Sequence, residues 1–411
     1  MTRARVGLSG WQLLGLGVGA ASLAITWGLY NNFMPLLLRD YVRSSGMRGA
    51  IMGIDNVMAM VLLPLIGTWS DRIDGRLGKR LPFLVVSMPL AAILFALLPF
   101  AKAAFWTLMA VDIAFLLAMT AFRAPLAALM PDHVPPDGRS HANAVLTMLG
   151  AIGGAIGLLF VAPMADVALW FPFLVAGTVI AVALFAVLLA TEPHPRYVAA
   201  GVIQEDAPLL SGLVRDAATV LRNRQGGVLL ILVAVFFAFF GYSALEAQFS
   251  TFATEEFGLS GGSSGMIMGA TIAGFVVMAL PAGRLARRLG ELNTMRLGAG
   301  LLALWLLVAT LTADPTTLSL WLGLGGASWA FVLVPAYPLV VNQGGDDRVG
   351  FYTGIYYLFG SAASILAPSS VGAAMDLLGN GVLLPAVAVS MAITAATLTF
   401  AMRSRSAQRQ P

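Results

Sequence analysis

"GTWSDRIDGRLGKRLPF", residues 67 to 83, packs Asp71, Arg72, Asp74, Arg76, Lys79 and Arg80 into ten consecutive positions of a 411-residue chain that is only 11% charged. Beyond it the charge vanishes: 21 uncharged residues separate Arg80 from Lys102. A helix needs about 20 apolar residues to cross the hydrocarbon of a bilayer. The stretch therefore reads as a short polar connection between two membrane spans. The pattern repeats outward, with 33 uncharged residues between Arg5 and Arg39, 25 between Asp166 and Glu192, and 26 between Asp376 and Arg403.

Composition agrees, since 59% hydrophobic residues and a mean hydropathy of +0.86 exceed what a water-soluble core can hide. Twelve spans are expected, centred near residues 24, 58, 91, 115, 153, 179, 237, 272, 305, 330, 362 and 390. A membrane β-barrel would show ten-residue alternation, which is absent. The expected fold class is an all-α membrane protein.

The start, "MTRARVGLSGW", is followed by an apolar run too long for a signal peptide, and it reads as a retained first span. Cysteine is absent from the sequence, which excludes disulfides and thiolate chemistry. Nineteen of the 24 Lys and Arg residues fall on one side if the spans alternate from the N-terminus. The positive-inside rule then places both termini in the cytoplasm, with the protein in the cell membrane. That bias also explains the net charge of +4, and no nucleic-acid partner is implied.

The longest polar connection, roughly Glu192 to Gln225, has six spans on either side of it. The expected division is an N-terminal six-helix bundle over 1–195, a cytoplasmic linker over 196–225 and a C-terminal bundle over 226–411. Part of the opening motif returns as "GRLARRLG", residues 283 to 290, at the equivalent place in the second half, although Arg287 stands where Asp71 would. "PLAALMPDHVPPDGRSHAN", residues 125 to 143, is echoed by "PLVVNQGGDDRVGFYTG", residues 338 to 354. Parallel six-helix repeats are a transporter architecture, with substrate held near the membrane midplane.

Gly67, Asp71, Arg72, Gly78, Lys79 and Arg80 resemble the loop signature of the major facilitator superfamily. "PLIGTWSDRIDGRLGKRLPF" from Pro64 to Phe83 is similar to the glycoside-pentoside-hexuronide symporters, especially their sucrose transporter branch. "WGLYNNFMPLLL" (27–38) and "FRAPLAALMPD" (122–132) add to the likeness. The resemblance implies a major facilitator fold of two pseudo-symmetric bundles working by rocking alternating access. It also implies that Asp71, with Arg72 and Arg80 as partners, latches the cytoplasmic ends of the halves; Arg123, near the inner end of span four, joins this cytoplasmic gate. A solvated loop that only sets topology is the simpler reading of the same charges.

Three acids fall at bilayer depth: Asp55, Asp112 and Glu246. Each costs on the order of 2.5 to 3.5 kcal/mol to insert, so each calls for a reason. Burial in oil favours the neutral form of a carboxylate, which is the chemistry of proton coupling. Asp112 is the first candidate proton carrier and Asp55 the second, against the alternative that each merely packs helices. The resemblance adds that plant sucrose transporters carry a span-four aspartate, about one turn away from Asp112, implied in proton coupling. Sodium coupling is less favoured, because a sodium site gathers several hard oxygen ligands.

Sugars stack on aromatic rings while amides and carboxylates take their hydroxyls. Trp27 and Asn31, Tyr242 and Glu246, and Tyr352 and Tyr356 each share a helix face at i, i+4, and with Asp112 they are the candidate substrate residues. Aromatic belts at the membrane interface explain some of the same rings. "GAIGGAIG", residues 150 to 157, suits close helix packing and not a dinucleotide loop. His133, His141 and His194 lack metal-site spacing, so no metal, cofactor or enzymatic activity is expected. The expected function is proton-driven symport of a disaccharide or related glycoside such as sucrose or maltose, by a monomer whose partners are sugar, protons and lipid. A facilitator or exporter of an amphiphilic drug or lysolipid, and a sodium-coupled sugar symporter, are the alternatives.

Overall fold

A computed structural model describes residues 10–408 except 74, 196, 198–225 and 344–348. The expected linker over 196–225, apart from Tyr197, and Asp74 of the opening motif lie outside the described residues. The described chain is helical, with no strand. Twelve helical segments are long and apolar enough to cross a membrane, and each of the twelve expected centres falls inside one.

In chain order the helices are α1 (Gly10–Arg39), α2 (Ser45–Met52), α3 (Ile54–Arg72), α4 (Leu81–Ala101), α5 (Phe105–His133), α6 (Pro136–Ile156), α7 (Phe171–Ala190), α8 (Gly226–Glu256), α9 (Gly261–Leu289), α10 (Glu291–Ala309), α11 (Pro315–Val341), α12 (Val349–Leu378) and α13 (Leu383–Gln408). The second span, Ser45–Arg72, is thus two helices, broken at Gly53. The fifth continues from α6 through a π-turn at Gly157–Val161 into a 3₁₀ turn at Ala162–Asp166. Large apolar side chains such as Trp106, Phe160, Val86 and Leu189 remain exposed, as befits a chain solvated by lipid.

Proline at the first or second position opens α4, α7 and α11, where its missing N–H leaves no intrahelical bond unmade. Before α11, Asp314 caps the helix by accepting from Thr317 Oγ1 at 2.6 Å and Thr317 N at 2.8 Å. The Thr317 hydroxyl and then its amide hold this exposed carboxyl below its ordinary value. A depressed folded value means the cap is fully present above the unfolded pKa of about 3.9 and is lost as pH falls through the folded one. Protection of the Thr317 amide, relative to its intrinsic exchange rate, is therefore expected to fall below about pH 4 in the parent. In an Asp314→Ala variant that protection is expected to be low at every pH.

The helices form two compact units. Unit 1 draws its described residues from Met1–Tyr41, Ile54–Ile203 and Ser260–Gly269; unit 2 draws its own from Val42–Gly53, Gln204–Leu259 and Ala270–Pro411. In unit 1, α1 packs on α5, α6 and α7, α4 packs on α5 and α7, and α3 packs on α5. The small residues of 150–157 bring α6 against Ala20, Ala21 and Ile25 of α1. In unit 2, α8 packs on α12 and α13, α10 on α11 and α13, and α2 on α12 and α8. Two short stretches thus pack away from their neighbours in sequence. Residues 42–53 belong to unit 2 while both flanks belong to unit 1, and 260–269 do the reverse.

Candidate functional site

In unit 1, α1, α3 and α5 bring together four of the sequence-predicted residues. Asp112 on α5 is 1% exposed, and Tyr30 on α1 is fully buried beside it. Tyr30 packs edge-on against Trp27 (5.4 Å between ring centres) and obliquely on Phe115 (5.6 Å), which in turn meets Phe95 at 5.0 Å. Tyr30 Oη and Asp112 Oδ1 face each other, yet neither completes a well-formed hydrogen bond, and Trp27 Nε1 is likewise unsatisfied. Buried polar atoms are rarely left this way, so three orphans in one cluster mark a site with bonding capacity in reserve.

Asp55, in the first turn of α3, accepts from Asn56 N at 2.6 Å and from Asn56 Nδ2 at 2.7 Å. Its charge acts on Asp112, Tyr30 and Arg123. Arg123 is exposed at its surface although protein crowds its guanidinium. Asn31 is half-buried on α1. Among the described residues no ion pair reaches Asp112.

Unit 2 holds the aromatic candidates. Tyr242 on α8 lies flat on Trp329 of α11, 4.6 Å between centres and 2° between planes. Phe239 bridges Trp329 at 6.1 Å to Tyr356 of α12 at 5.9 Å, and Tyr337 closes on Tyr356 at 5.4 Å. Tyr242 and Tyr356 are thus joined through two rings that the i, i+4 spacing did not single out as a pair. Tyr352 stands apart from this chain of rings and packs on Phe351. Glu246, one turn beyond Tyr242, is half-buried, and its charge is felt at the Tyr242 hydroxyl.

The opening motif builds a third cluster, also in unit 1. Arg80 Nη2 meets Asp71 Oδ1 at 2.5 Å, Nε meets Asp132 Oδ2 at 2.9 Å, and Nη1 donates to Ser70 Oγ. All three faces of the guanidinium fork are therefore used. Arg72 is exposed and makes no hydrogen bond or ion pair among the described residues. Arg123 lies about 13 Å along α5 from Asp132, at 1.5 Å per residue, and the charge of Asp55 is felt at its guanidinium.

Asp132, which reads in the sequence as an ordinary loop acid, is the buried partner here, and a charge near a span end gives no sign of whether it turns inward. His133 beside it is also buried. The Glu192 N–H can only donate, at 3.1 Å, so His133 Nε2 accepts it and the ring proton sits on Nδ1, donated to Leu129 O at 2.8 Å. Tyr197 N donates to Asp132 O. Gly78 has φ +71°, and a Cβ there would fall 1.7 Å from Pro193 O, so only glycine lets the 75–80 turn close on residues 192–195. A cleft of about 250 Å³ remains between that turn, α5 and residues 192–195.

Among curated proteins no sequence matches this chain significantly. Among solved structures, a variant of the nucleoside transporter NupG superposes with a TM-score of 0.75 at 13% identity, over 95% of this chain and 99% of that one. The peptide transporter POT gives 0.72 at 12% identity over 95% and 94%. The human organic anion transporter MFSD10 gives 0.62 at 19% over 94% and 99%. At such identities the likeness is one of fold. The family model described as Major Facilitator Superfamily matches residues 16–368, nearly the whole sequence. With its twelve membrane-spanning helices, the chain is a multi-pass membrane transporter belonging to the Major Facilitator Superfamily.

Proposed function

We propose that the chain is a proton-driven symporter of a disaccharide or related glycoside, such as sucrose or maltose. The observation that carries this is Asp112: a carboxyl in the membrane-spanning core, 1% exposed, with no cation in ion-pair contact and a phenol hydroxyl opposite it. An ionised acid in that setting is costly, and accepting a proton removes the cost.

For the substrate, Trp27 and Asn31 in unit 1 and the Tyr242–Trp329–Phe239–Tyr356 chain with Glu246 in unit 2 supply ring faces and hydrogen-bonding groups suited to a sugar. That ring chain, flanked by a single acid, is also the feature that favours the second reading, a carrier of an amphiphilic molecule. The proposal places the protein in the cell membrane with both termini cytoplasmic, because nineteen basic residues then lie inside.

The test is uptake into proteoliposomes of a panel of labelled mono- and disaccharides, with and without an inward proton gradient. At least one disaccharide is expected to accumulate only with the gradient and to carry measurable proton entry. Uptake of no sugar, or equilibration indifferent to pH, would replace this reading with the amphiphile carrier.

A further inference from the structure

Arg123 carries a charge at membrane depth that the proton step does not use. It sits four residues past Met119, the middle of the 29-residue α5. At 1.5 Å per residue that is about 6 Å, well inside a hydrocarbon layer about 30 Å thick. Arginine keeps its charge in proteins, so it cannot escape the cost of such a place as a carboxylate does by taking a proton. Trp106, Ala110, Ile113 and Leu117 form an exposed apolar row that marks the lipid side of α5. With 3.6 residues per turn, Arg123 stands roughly 110° around the helix from that row and about 20° from Asp112. Its exposed surface therefore opens away from lipid.

The side chain is also short of acceptors. Arg48, Arg80 and Arg139 each donate at least twice to protein oxygens. Arg123 takes part in no hydrogen bond and no ion pair among the described residues. Asp55 is the acid whose charge reaches it, but Asp55 Oδ1 accepts from Asn56 N and Nδ2 at the start of α3. That carboxylate tempers the field at the guanidinium without bonding to it. Nor do the acids of the opening motif's cluster compete, since Asp71 and Asp132 are both held by Arg80. A planar fork of five N–H donors matches two oxygens lying side by side, which a carboxylate or a phosphate presents and a single hydroxyl does not. Charges held inside a membrane protein and facing away from lipid mark the paths of substrates and ions.

We propose that Arg123 is an oxyanion-binding site, taking a carboxylate or phosphate group through its guanidinium fork on the face of α5 that also carries Asp112. The oxyanion is either a free inorganic ion or a group on the molecule carried. In the second case the substrate narrows from a neutral disaccharide to an acidic or phosphorylated one. That refinement rests on the sugar reading, whereas the anion site itself does not.

The test is isothermal titration of the full chain in detergent, at fixed ionic strength, with inorganic phosphate, sucrose and sucrose 6-phosphate. Phosphate is expected to bind the parent and to lose at least tenfold in affinity in Arg123→Gln. Arg123→Lys keeps a point charge without the fork and should fall between the two. Arg284→Gln removes an exposed arginine of α9, controls for loose surface binding, and should match the parent. A group on the molecule carried is the source if sucrose 6-phosphate binds at least tenfold tighter than both inorganic phosphate and sucrose and loses that gain in Arg123→Gln. A free ion is the source if sucrose binds and its phosphate does no better than inorganic phosphate. If the sugar part adds no affinity to either ligand while phosphate still requires Arg123, the sugar reading fails and the anion site stands. Parent-like affinity of Arg123→Gln for both phosphates, or binding of neither to the parent, would overturn the anion site. An Arg123→Gln chain that no longer folds would overturn it equally, because Arg123 would then serve the fold.

Discussion

Asp112→Asn is expected to lose all uphill accumulation of substrate while still letting substrate equilibrate. One pH unit of gradient supplies about 1.36 kcal/mol per proton, enough for about tenfold accumulation at one proton per cycle. The parent should approach that ratio and the variant should stay near unity. The replacement is nearly isosteric at a position 1% exposed, so packing against Tyr30 and Phe115 is retained and only the titration is removed. Asparagine mimics the neutral acid, which on the proposed mechanism is the form that lets the loaded carrier cross. Exchange of internal for external substrate should therefore persist. Accumulation at the parent level in Asp112→Asn would show that the proton is carried elsewhere, with Asp55 the next place to look.

The sequence made the architecture plain because lipid imposes a coarse rule. A span is a run of about 20 uncharged residues, and each of the twelve runs became a membrane-length helix. The small-residue stripe of 150–157 was equally readable, since close approach of α6 to α1 needs residues without bulk. Asp112 and Tyr242 could be placed at depth from their position within a run. What pairs with what could not. Tyr242 and Trp329 are 87 residues apart, and Asp376 bonds Gly46 across a separation of 330. Asp376, Arg48 and Asp132 all stand near span ends, where a charge reads as solvated. Arg48 and Asp132 instead bury themselves against long-range partners. The stretch 42–53 escaped notice for a related reason: periodicity tells which face of a helix is apolar, not which neighbour receives it.

Asp132→Ala should be far more destabilising than Asp71→Ala in the cluster built by residues 70–80. The Arg80 side chain is 11% exposed and that of Asp132 5%, whereas Asp71 is 49% exposed. Deleting the buried partner leaves the Arg80 charge with only the half-exposed Asp71 beside it and costs up to about 3 to 5 kcal/mol, while an exposed pair is worth about 0 to 1 kcal/mol. Thermal unfolding in detergent should therefore separate the two variants by several kcal/mol when referred to the parent. Substituting both Arg80→Met and Asp132→Leu should recover much of the loss, since a buried pair exchanged for apolar bulk is often neutral. The comparison also bears on what the motif does. Asp71, Arg80, Ser70 and Asp132 all lie in unit 1, and Asp132 O further holds Tyr197 N, so the buried half of the cluster ties the 75–80 turn, the end of α5 and Tyr197 into one piece. Asp71, the exposed member, remains free to exchange partners without dismantling it. Equal costs for the two aspartates would mean that Arg80 is solvated in practice and that the motif holds nothing together.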